Sequence, residues 1–234
     1  MNRFLNITYD FLSLIFPQVC AACGDSLYKE EASICTKCLY QIPKTNFHLD
    51  TENEVAQLFW GRVKLHAVTS YYYYHKGSKF QRIIHQCKYS GQKYIGYDFG
   101  KMFAIELKHT CFSEIDVIHP VPLHFKKLKK RGYNQSEYIA QGMSEVLKKP
   151  IITDAVCRVN AAETQTKKTR YERWKNVEGV FKIKNCCKLE NKHVLLVDDV
   201  ITTGSTIEAC AGEILKLNNT KVSVVTLAFA KLEG

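Results

Sequence analysis

The sequence lacks an apolar run long enough to cross a membrane. The N-terminal stretch Asn2–Pro17 is apolar, but Asp10 interrupts it, and it falls short of the roughly 20 residues that a spanning helix needs. It also makes a weak secretory signal, because Arg3 is its single basic residue and no small residues precede Cys20. We expect a cytoplasmic protein whose N-terminal segment forms an apolar helix packed on the rest of the chain. A membrane-surface or partner-docking role for that helix is the alternative.

Negative charge is scarce. Asp and Glu number 23 against 33 Lys and Arg, which gives a formal net charge of +10 and an isoelectric point near 9.0. Such an excess suits a polyanion, either a pyrophosphate substrate or a nucleic acid, and charge alone does not choose between them. With 46% hydrophobic and 24% charged residues, the 234-residue chain has the composition of a globular protein rather than a disordered one. Its length suits one α/β domain with a small appendage.

Disulfide-framework spacing is missing from most of the ten cysteines. Six show no regular spacing: Cys87, Cys111, Cys157, Cys186, Cys187 and Cys210. Four follow the pattern C-x2-C-x11-C-x2-C: Cys20, Cys23, Cys35 and Cys38. Two such knuckles offer four thiolates to one tetrahedral Zn²⁺, and a metal staple suits a segment too small for its own core. We therefore predict a structural zinc module in residues 1–44, followed by a second domain in residues 45–234. A pair of disulfides is the alternative, but no secretory signal supports an oxidising compartment.

The stretch VLLVDDVITTGST, Val194 to Thr206, predicts a ligand site at the end of a strand. Its first four residues form an apolar run typical of a buried parallel strand. Asp198 and Asp199 follow, where carboxylates suit the hydroxyls of a sugar. Gly204 and the hydroxyl residues around it precede a helix, whose N-terminus suits a phosphate. Helix capping alone would need one polar residue, and this loop has six. Helical spacing follows at Ile207, Cys210, Ala211 and Ile214.

This string resembles the 5-phosphoribosyl-1-pyrophosphate (PRPP) signature of type I phosphoribosyltransferases. The resemblance implies that the paired acids hold the ribose 2′- and 3′-hydroxyls and that the TTGST loop cradles the 5′-phosphate. The implied PRPP-binding residues are Asp198, Asp199, Val200, Ile201, Thr202, Thr203, Gly204, Ser205 and Thr206.

The middle of the chain predicts further elements of an α/β fold. Val63–Tyr74 is β-branched and aromatic, hence a strand, in which about half of the tyrosine run Tyr71–Tyr74 faces the core. Base stacking by that run is the alternative. Helical patterns follow at Phe80–Cys87 and Tyr94–Lys108.

The segment Ile115–Met143 predicts a buried strand, a proline-bounded turn, a basic loop and a helix. Pro120 and Pro122 must end the strand, because each removes a backbone donor. Five of the six residues Lys126–Arg131 are cationic, which favours an anionic ligand, with a solvated loop as the alternative. Asn134 is a helix-start signal, and the apolar stripe of that helix continues to Leu147.

A second basic segment runs from Arg158 to Phe181 and reads as a long loop entering a hairpin. Its cations and aromatic residues suit either a lid over pyrophosphate or contact with single-stranded nucleic acid. The residues expected to make those contacts are Arg170, Arg173 and Trp174.

Taken in order, the four-cysteine pattern and the strings KYSG, HPVPL, RGYNQ, RYERWKN and VLLVDDVITTGST resemble the ComF family, from about Phe16 to Ala230. The resemblance implies a small zinc module before a type I phosphoribosyltransferase fold, a central mostly parallel sheet flanked by helices. It also implies that Mg²⁺ arrives with PRPP and that the pyrophosphate side is formed by Val121, Pro122, Lys130 and Arg131.

The ComF resemblance links the chain to DNA uptake in natural transformation, with single-stranded DNA and competence machinery such as a DNA helicase as partners. Two functions stay open: Mg²⁺-dependent phosphoribosyl transfer from PRPP to an unknown acceptor, or a non-catalytic adaptor that senses PRPP or binds single-stranded DNA. The residues identify no general base. His119 and His124 flank the proline turn, and a structural or anion-binding role fits each of them better.

Overall fold

The strands of the computed structural model, which describes residues 17–89, 91–159 and 179–231, form two sheets. The strands are β1 (Ala67–Tyr73), β2 (Val117–Pro120), β3 (Val156–Arg158), β4 (Phe181–Ile183), β5 (His193–Ile201) and β6 (Lys221–Phe229). The main sheet has the order β1-β6-β5-β2, and its neighbouring strands are all parallel. β3 and β4 form a separate antiparallel pair.

Helices cover both faces of the main sheet, as parallel sheets require. They are α1 (Thr36–Gln41), α2 (Glu54–Gln57), α3 (Lys79–Tyr89), α4 (Tyr94–Leu107), α5 (Phe125–Arg131), α6 (Gln135–Leu147) and α7 (Ser205–Ile214), with 3-10 turns at Phe47–Leu49, Cys111–Glu114 and Cys186–Lys188. None of the helices within the described ranges is both long and apolar enough to cross a bilayer.

The alternating side chains of β5 build two cores. Leu195 and Val197 pack with α3, α4 and α6 on one face, whereas Val194 and Leu196 pack with α2, α7 and the β3–β4 pair on the other. All four are fully buried, as expected for a central strand. The site at the carboxyl end of β5 therefore stands on the most enclosed part of the fold.

Two glycines let α4 and α6 approach closely. A Cβ added at Gly100 would lie 2.3 Å from the Ile139 carbonyl oxygen, and one at Gly142 would lie 2.0 Å from the Tyr97 carbonyl oxygen. Neither distance is tolerable for non-bonded atoms, so both positions require glycine. This contact fixes α6, and α6 in turn presents its N-terminus to the end of β5.

Most of the predicted helices and strands are confirmed, but the prediction of a basic loop at residues 126–131 is wrong. Residues 125–131 form α5, because Lys, Leu and Arg are good helix formers and both ends are capped. The His124 side chain accepts a bond from the Lys126 N–H (3.2 Å), and Gly132 closes the helix at φ +79°. The strand predicted from Val63 begins only at Ala67, because residues 63–66 complete the preceding turn. Tyr71 and Tyr72 are buried in the core.

The four-cysteine segment packs directly on the α/β unit. Cys20, Ile34 and Cys38 belong to the same buried cluster as Tyr72 and Phe80. The apolar helix expected near the N-terminus lies in residues 1–16, outside the described part of the chain.

Candidate functional site

The paired acids lie on β5 itself. The strand was expected to stop at Val197, yet it continues through both acids to Ile201, with Asp198 opposite Thr226 and Val200 opposite Ala228 of β6. This continued pairing with β6 holds the backbone of Asp198 and Asp199 rigidly, so both carboxylates project from a fixed edge of the sheet.

Asp198 lies at the N-terminus of α6. Its Oδ1 accepts bonds from the Ser136 hydroxyl and from the Asp199 N–H, each at 2.9 Å. Asn134 caps the helix by accepting from the Ser136 N–H (3.2 Å), and its side-chain amide donates to the Val121 carbonyl oxygen (3.0 Å), which fixes the proline turn. Burial, followed by the charge of Asp199, raises the pKa of Asp198 to about 7, even though its two hydrogen bonds act in the opposite direction.

Asp199 is paired with Lys88, at the end of α3. Lys88 Nζ lies 2.8 Å from Asp199 Oδ2, and the two side chains are only 21% and 13% exposed. Burial alone would lower the pKa of Lys88, but the charge and hydrogen bond of Asp199 outweigh it and raise that pKa. Sequence reasoning missed this lysine; the only signal was its place at the head of the KYSG string.

The loop after the acids has the form expected of a phosphate cradle. Gly204 sits at φ +76° immediately before α7 and, having no side chain, leaves the helix N-terminus uncapped. Thr202, Thr203 and Ser205 are exposed, and the Thr203 and Ser205 hydroxyls are 3.0 Å apart. Backbone donors and hydroxyls therefore converge on a small pocket of about 40 Å³.

A cavity of about 170 Å³ adjoins this pocket, and Asp198, Val200 and Thr206 line both. The cavity's further lining residues include Lys88, Val121, Pro122, Leu123, Lys127, Arg131, Asn134, Gln135, Ser136, Arg158 and Asp199. The structure thus brings Val121, Pro122 and Arg131 together with the acids, as predicted. Lys130 does not line the cavity, and Lys127 and Arg158 do. Two carboxylates therefore face four cations.

Gln135 adds an unsatisfied donor to this cavity. It is 1% exposed, and its Nε2 has no hydrogen-bond partner among the described residues. A buried amide without a partner costs free energy unless a ligand or water completes it. Together with the lining cations, it gives the cavity a donor-rich wall suited to anionic oxygen atoms.

A turn outside the sequence motifs supports the phosphate loop from behind. Arg62 donates through Nη1 to the carbonyl oxygens of Thr203 (3.0 Å) and Leu58 (2.8 Å), and its Nη2 pairs with Glu208 of α7. The Phe59 ring lies so close to Gly204 that an added Cβ there would be 2.9 Å from it. Sequence reasoning gave no signal for this support.

The two histidines beside the proline turn have structural roles. His119 is fully buried, its Nδ1 lies 2.8 Å from the Pro120 carbonyl oxygen, and burial lowers its pKa to about 4. His124 caps α5. Neither lines the acid-bearing cavity. The expected lid contacts Arg170, Arg173 and Trp174 lie outside the described residues.

The four spaced cysteines form a cluster that could bind a metal such as zinc. The Sγ atoms of Cys20, Cys23, Cys35 and Cys38 all lie within 4.8 Å of one another. The Ala22 and Cys35 N–H groups donate to Cys20 Sγ at 3.4 and 3.3 Å, and Lys79 Nζ lies 3.6 Å from Cys38 Sγ. Four converging sulfur atoms with N–H donors and a nearby cation fit a tetrahedral Zn²⁺ held by thiolates.

Residues 116–234 match the model of the phosphoribosyl transferase domain. The chain belongs to that family. The match includes the proline turn, both acids and the phosphate loop. It confirms the predicted fold, a type I phosphoribosyltransferase domain with a parallel sheet flanked by helices. The phosphoribosyl transferase match leaves out residues before 116, and so leaves out Lys88, Arg62 and the cysteine cluster.

Curated relatives extend the similarity over most of the chain. The DNA utilization protein YhgH of Escherichia coli (strain K12) is 28% identical over 211 residues, covering 88% of this chain and 88% of that protein. Competence protein F of Haemophilus influenzae is 31% identical over 155 residues, covering 63% of this chain and 67% of that protein. Competence protein ComFC of Bacillus subtilis is 27% identical over 209 residues, covering 88% and 82%. With the phosphoribosyl transferase domain, these relatives confirm the resemblance to the ComF family.

Proposed function

We propose that this chain binds PRPP with Mg²⁺ at the carboxyl edge of its sheet and acts in DNA uptake or utilization by handling single-stranded DNA. One observation carries the PRPP part: Asp198 and Asp199 adjoin the loop at the N-terminus of α7 and face four cations across one cavity. The carboxylates suit the ribose hydroxyls of PRPP, the loop suits its 5′-phosphate, and the cations suit its pyrophosphate.

The residues suggest how a phosphoribosyl group would be held. Asp198 and Asp199 accept the ribose hydroxyls, and the Thr202–Thr206 loop binds the 5′-phosphate. Lys88 and Arg131 face the pyrophosphate end. In phosphoribosyl transfer, a nucleophilic atom of the acceptor would form a bond to ribose carbon 1 while the bond from that carbon to pyrophosphate breaks. Pyrophosphate would leave with the electron pair of the broken bond, and these cations would stabilise its charge.

The donor set also fits Mg²⁺ that arrives with PRPP, because carboxylates are hard oxygen donors. When bound, that ion neutralises part of the pyrophosphate charge. Asp199 already has Lys88 as its counter-charge. The chain's own part is to orient the ribose, whose hydroxyls donate hydrogen bonds to the carboxylate oxygens.

The DNA part of the proposal comes from the family. ComF-family membership with a phosphoribosyltransferase-like domain supports a role in DNA uptake, and the similar proteins are named for competence and DNA utilization. A formal charge of +10 suits contact with nucleic-acid phosphates.

A non-catalytic adaptor is the second candidate. Among the described residues that line the acid-bearing cavity there is no histidine, cysteine or tyrosine to act as a general base, and both carboxylates are assigned to ribose. An adaptor would bind PRPP as a signal and leave it intact.

The test is calorimetric titration of wild-type protein with PRPP and Mg²⁺, with pyrophosphate release assayed in the same samples. Asp198→Asn and Asp199→Asn should each abolish binding, while Asp154→Asn, at an exposed acid that does not line the cavity, should bind like wild type. Binding with turnover supports an enzyme, and binding without turnover supports the adaptor. Failure of wild-type protein to bind PRPP would refute the proposal. If Asp199→Asn lost DNA affinity in proportion to its loss of PRPP affinity, separate sites for DNA and PRPP would be contradicted.

A further inference from the structure

A second cavity lies away from the acids and shares no lining residue with the acid-bearing cavity. It has a volume of about 490 Å³, is open to solvent, and is lined by residues of α2, the turn after it and the start of β1. The lining residues are Thr51, Ala56, Phe59, Trp60, Gly61, Arg62, Val63, Lys64, Leu65, His66, Ala67 and Val68. A volume of this size admits a nucleobase with its sugar.

The lining combines aromatic rings with basic side chains and contains no carboxylate. Trp60 is 61% exposed, an unusual state for so large an apolar side chain, and the buried Phe59 precedes it in the turn. Arg62, Lys64 and His66 supply the basic groups. A ligand that satisfies both features is planar, apolar on its faces and negatively charged at one end. Those are the properties of a nucleotide.

The basic residues are not equivalent. The Arg62 guanidinium is already engaged by two carbonyl oxygens and Glu208. The His66 ring packs edge-on against His193, with ring centroids 4.8 Å apart. Lys64 is exposed and forms no ion pair within the described ranges, so it is the cation available to a phosphate. One side chain is therefore available for each part of such a ligand: Trp60 for the base and Lys64 for the phosphate.

We propose that this cavity binds a nucleotide of single-stranded DNA, with the base stacked on Trp60 and an adjacent phosphate at Lys64. The inference rests on the DNA-handling part of the proposed function and not on PRPP binding. The proposed DNA site and the proposed PRPP site are also in physical contact. Phe59 and Arg62 line this cavity. Phe59 lies against Gly204 of the phosphate loop, and Arg62 donates to the Thr203 carbonyl oxygen of the same loop.

The experiment measures the affinity of full-length protein for a fluorescently labelled oligothymidylate at several salt concentrations. Trp60→Ala should weaken binding by about 5- to 160-fold, the range of one lost base stack. Lys64→Ala should weaken it and reduce the steepness of its salt dependence by about one unit in the log-log slope. Tyr40→Ala and Lys37→Ala are matched controls on the cysteine segment, where both side chains are also exposed, and should change neither quantity.

A second measurement locates the base. The chain has two tryptophans, Trp60 and Trp174, and saturating oligothymidylate should quench the emission of wild-type protein more than that of Trp60→Phe, because the difference between them reports on Trp60. Unchanged DNA affinity in Trp60→Ala and Lys64→Ala, with intact PRPP binding, would overturn this site and leave the proposed function standing. Absence of DNA binding by wild-type protein would overturn both this site and the DNA part of that function. Equal competition by thymidine monophosphate would overturn the assignment to single-stranded DNA in favour of a free nucleotide.

Discussion

Lys88 Nζ lies 2.8 Å from Asp199 Oδ2, although the two residues come from opposite sides of the phosphoribosyl transferase boundary at residue 116. A cation from the N-terminal half thus neutralises half of the acid pair before any ligand arrives. The site is a joint product of the family domain and the segment that precedes it.

Lys88→Met should lower both stability and PRPP affinity. Because the pair is largely buried, removing the lysine leaves Asp199 without its counter-charge, and we expect a loss of about 1 to 3 kcal/mol in the free energy of unfolding. Urea unfolding and calorimetry measure the two effects. Lys101→Met is the control, because its pair with Glu145 is 38% and 44% exposed and should contribute about 0 to 1 kcal/mol. Equal losses in both variants would show that Lys88 has no special role.

Asp198 should make stability depend on pH. Its folded pKa is raised to about 7 from 3.8, so between about pH 4 and 7 the folded state binds a proton that the unfolded state has released. Wild-type stability should therefore fall as pH rises through this window. Asp198→Asn lacks that titration, so its stability relative to wild type should rise from pH 4 to 7 and then level off.

The control for this titration has the opposite sign. Lys188 holds the pKa of Asp154 below its usual range, so its contribution is present above about pH 4 and is lost only at lower pH. Asp154→Asn should therefore follow wild type between pH 5 and 8. A constant difference between Asp198→Asn and wild type across pH 4 to 8 would contradict the raised pKa.

Gly204→Ala should distort the phosphate loop. The residue has φ +76°, and the new methyl group would be 2.9 Å from the Phe59 ring, so strain and overpacking together should cost about 1 to 3 kcal/mol and weaken PRPP binding. The double variant Gly204→Ala/Phe59→Leu lacks the ring atoms nearest the new methyl group. It should therefore recover the part of the lost stability that overpacking causes, but not the part that backbone strain causes. Gly77→Ala isolates the strain, because Gly77 has φ +80° with nothing within 4 Å of an added Cβ. Equal stability of the two alanine variants would exclude the contact with Phe59 as a cause.

The cysteine cluster should hold one zinc ion per chain, and we propose a domain boundary near Lys44. Chelation should increase amide hydrogen exchange in residues 17–44 and, through the shared core, at Tyr72 and Phe80, while β5 and β6 stay protected. Cys38→Ser should lower the zinc content measured by elemental analysis. Cys186→Ser, at an exposed cysteine outside the cluster, should leave it unchanged. If protein purified under reducing conditions contains no zinc, the proposed zinc site is refuted.

The parts of the site that the sequence predicted are those with local signals. The apolar run before Asp198, the glycine before α7 and the cysteine spacing each arise within a few neighbouring residues, so pattern alone reveals them. The prediction of a loop at α5 was wrong because five cations among six residues suggest a solvated loop, whereas caps at both ends and good helix formers favour a helix.

The parts that the sequence missed depend on distant contacts. Arg62 and Thr203 are 141 positions apart, and a single arginine after a short helix looks like any solvated charge until the fold brings it to the loop. Lys88 is similar, since a lysine at the end of an amphipathic helix is ordinarily exposed. Such residues have no periodicity or spacing to mark them.

The pairing of β1 with β6 also sets the order in which the protein can be made. Thr226 of β6 bonds to Ser70 of β1 across 156 positions, and β6 separates β1 from every other strand of the main sheet. During synthesis the tyrosine-rich strand β1 must therefore wait for β6 to leave the ribosome before it gains its only parallel neighbour among the described strands. Until then its apolar residues are open to chaperones and to other nascent chains.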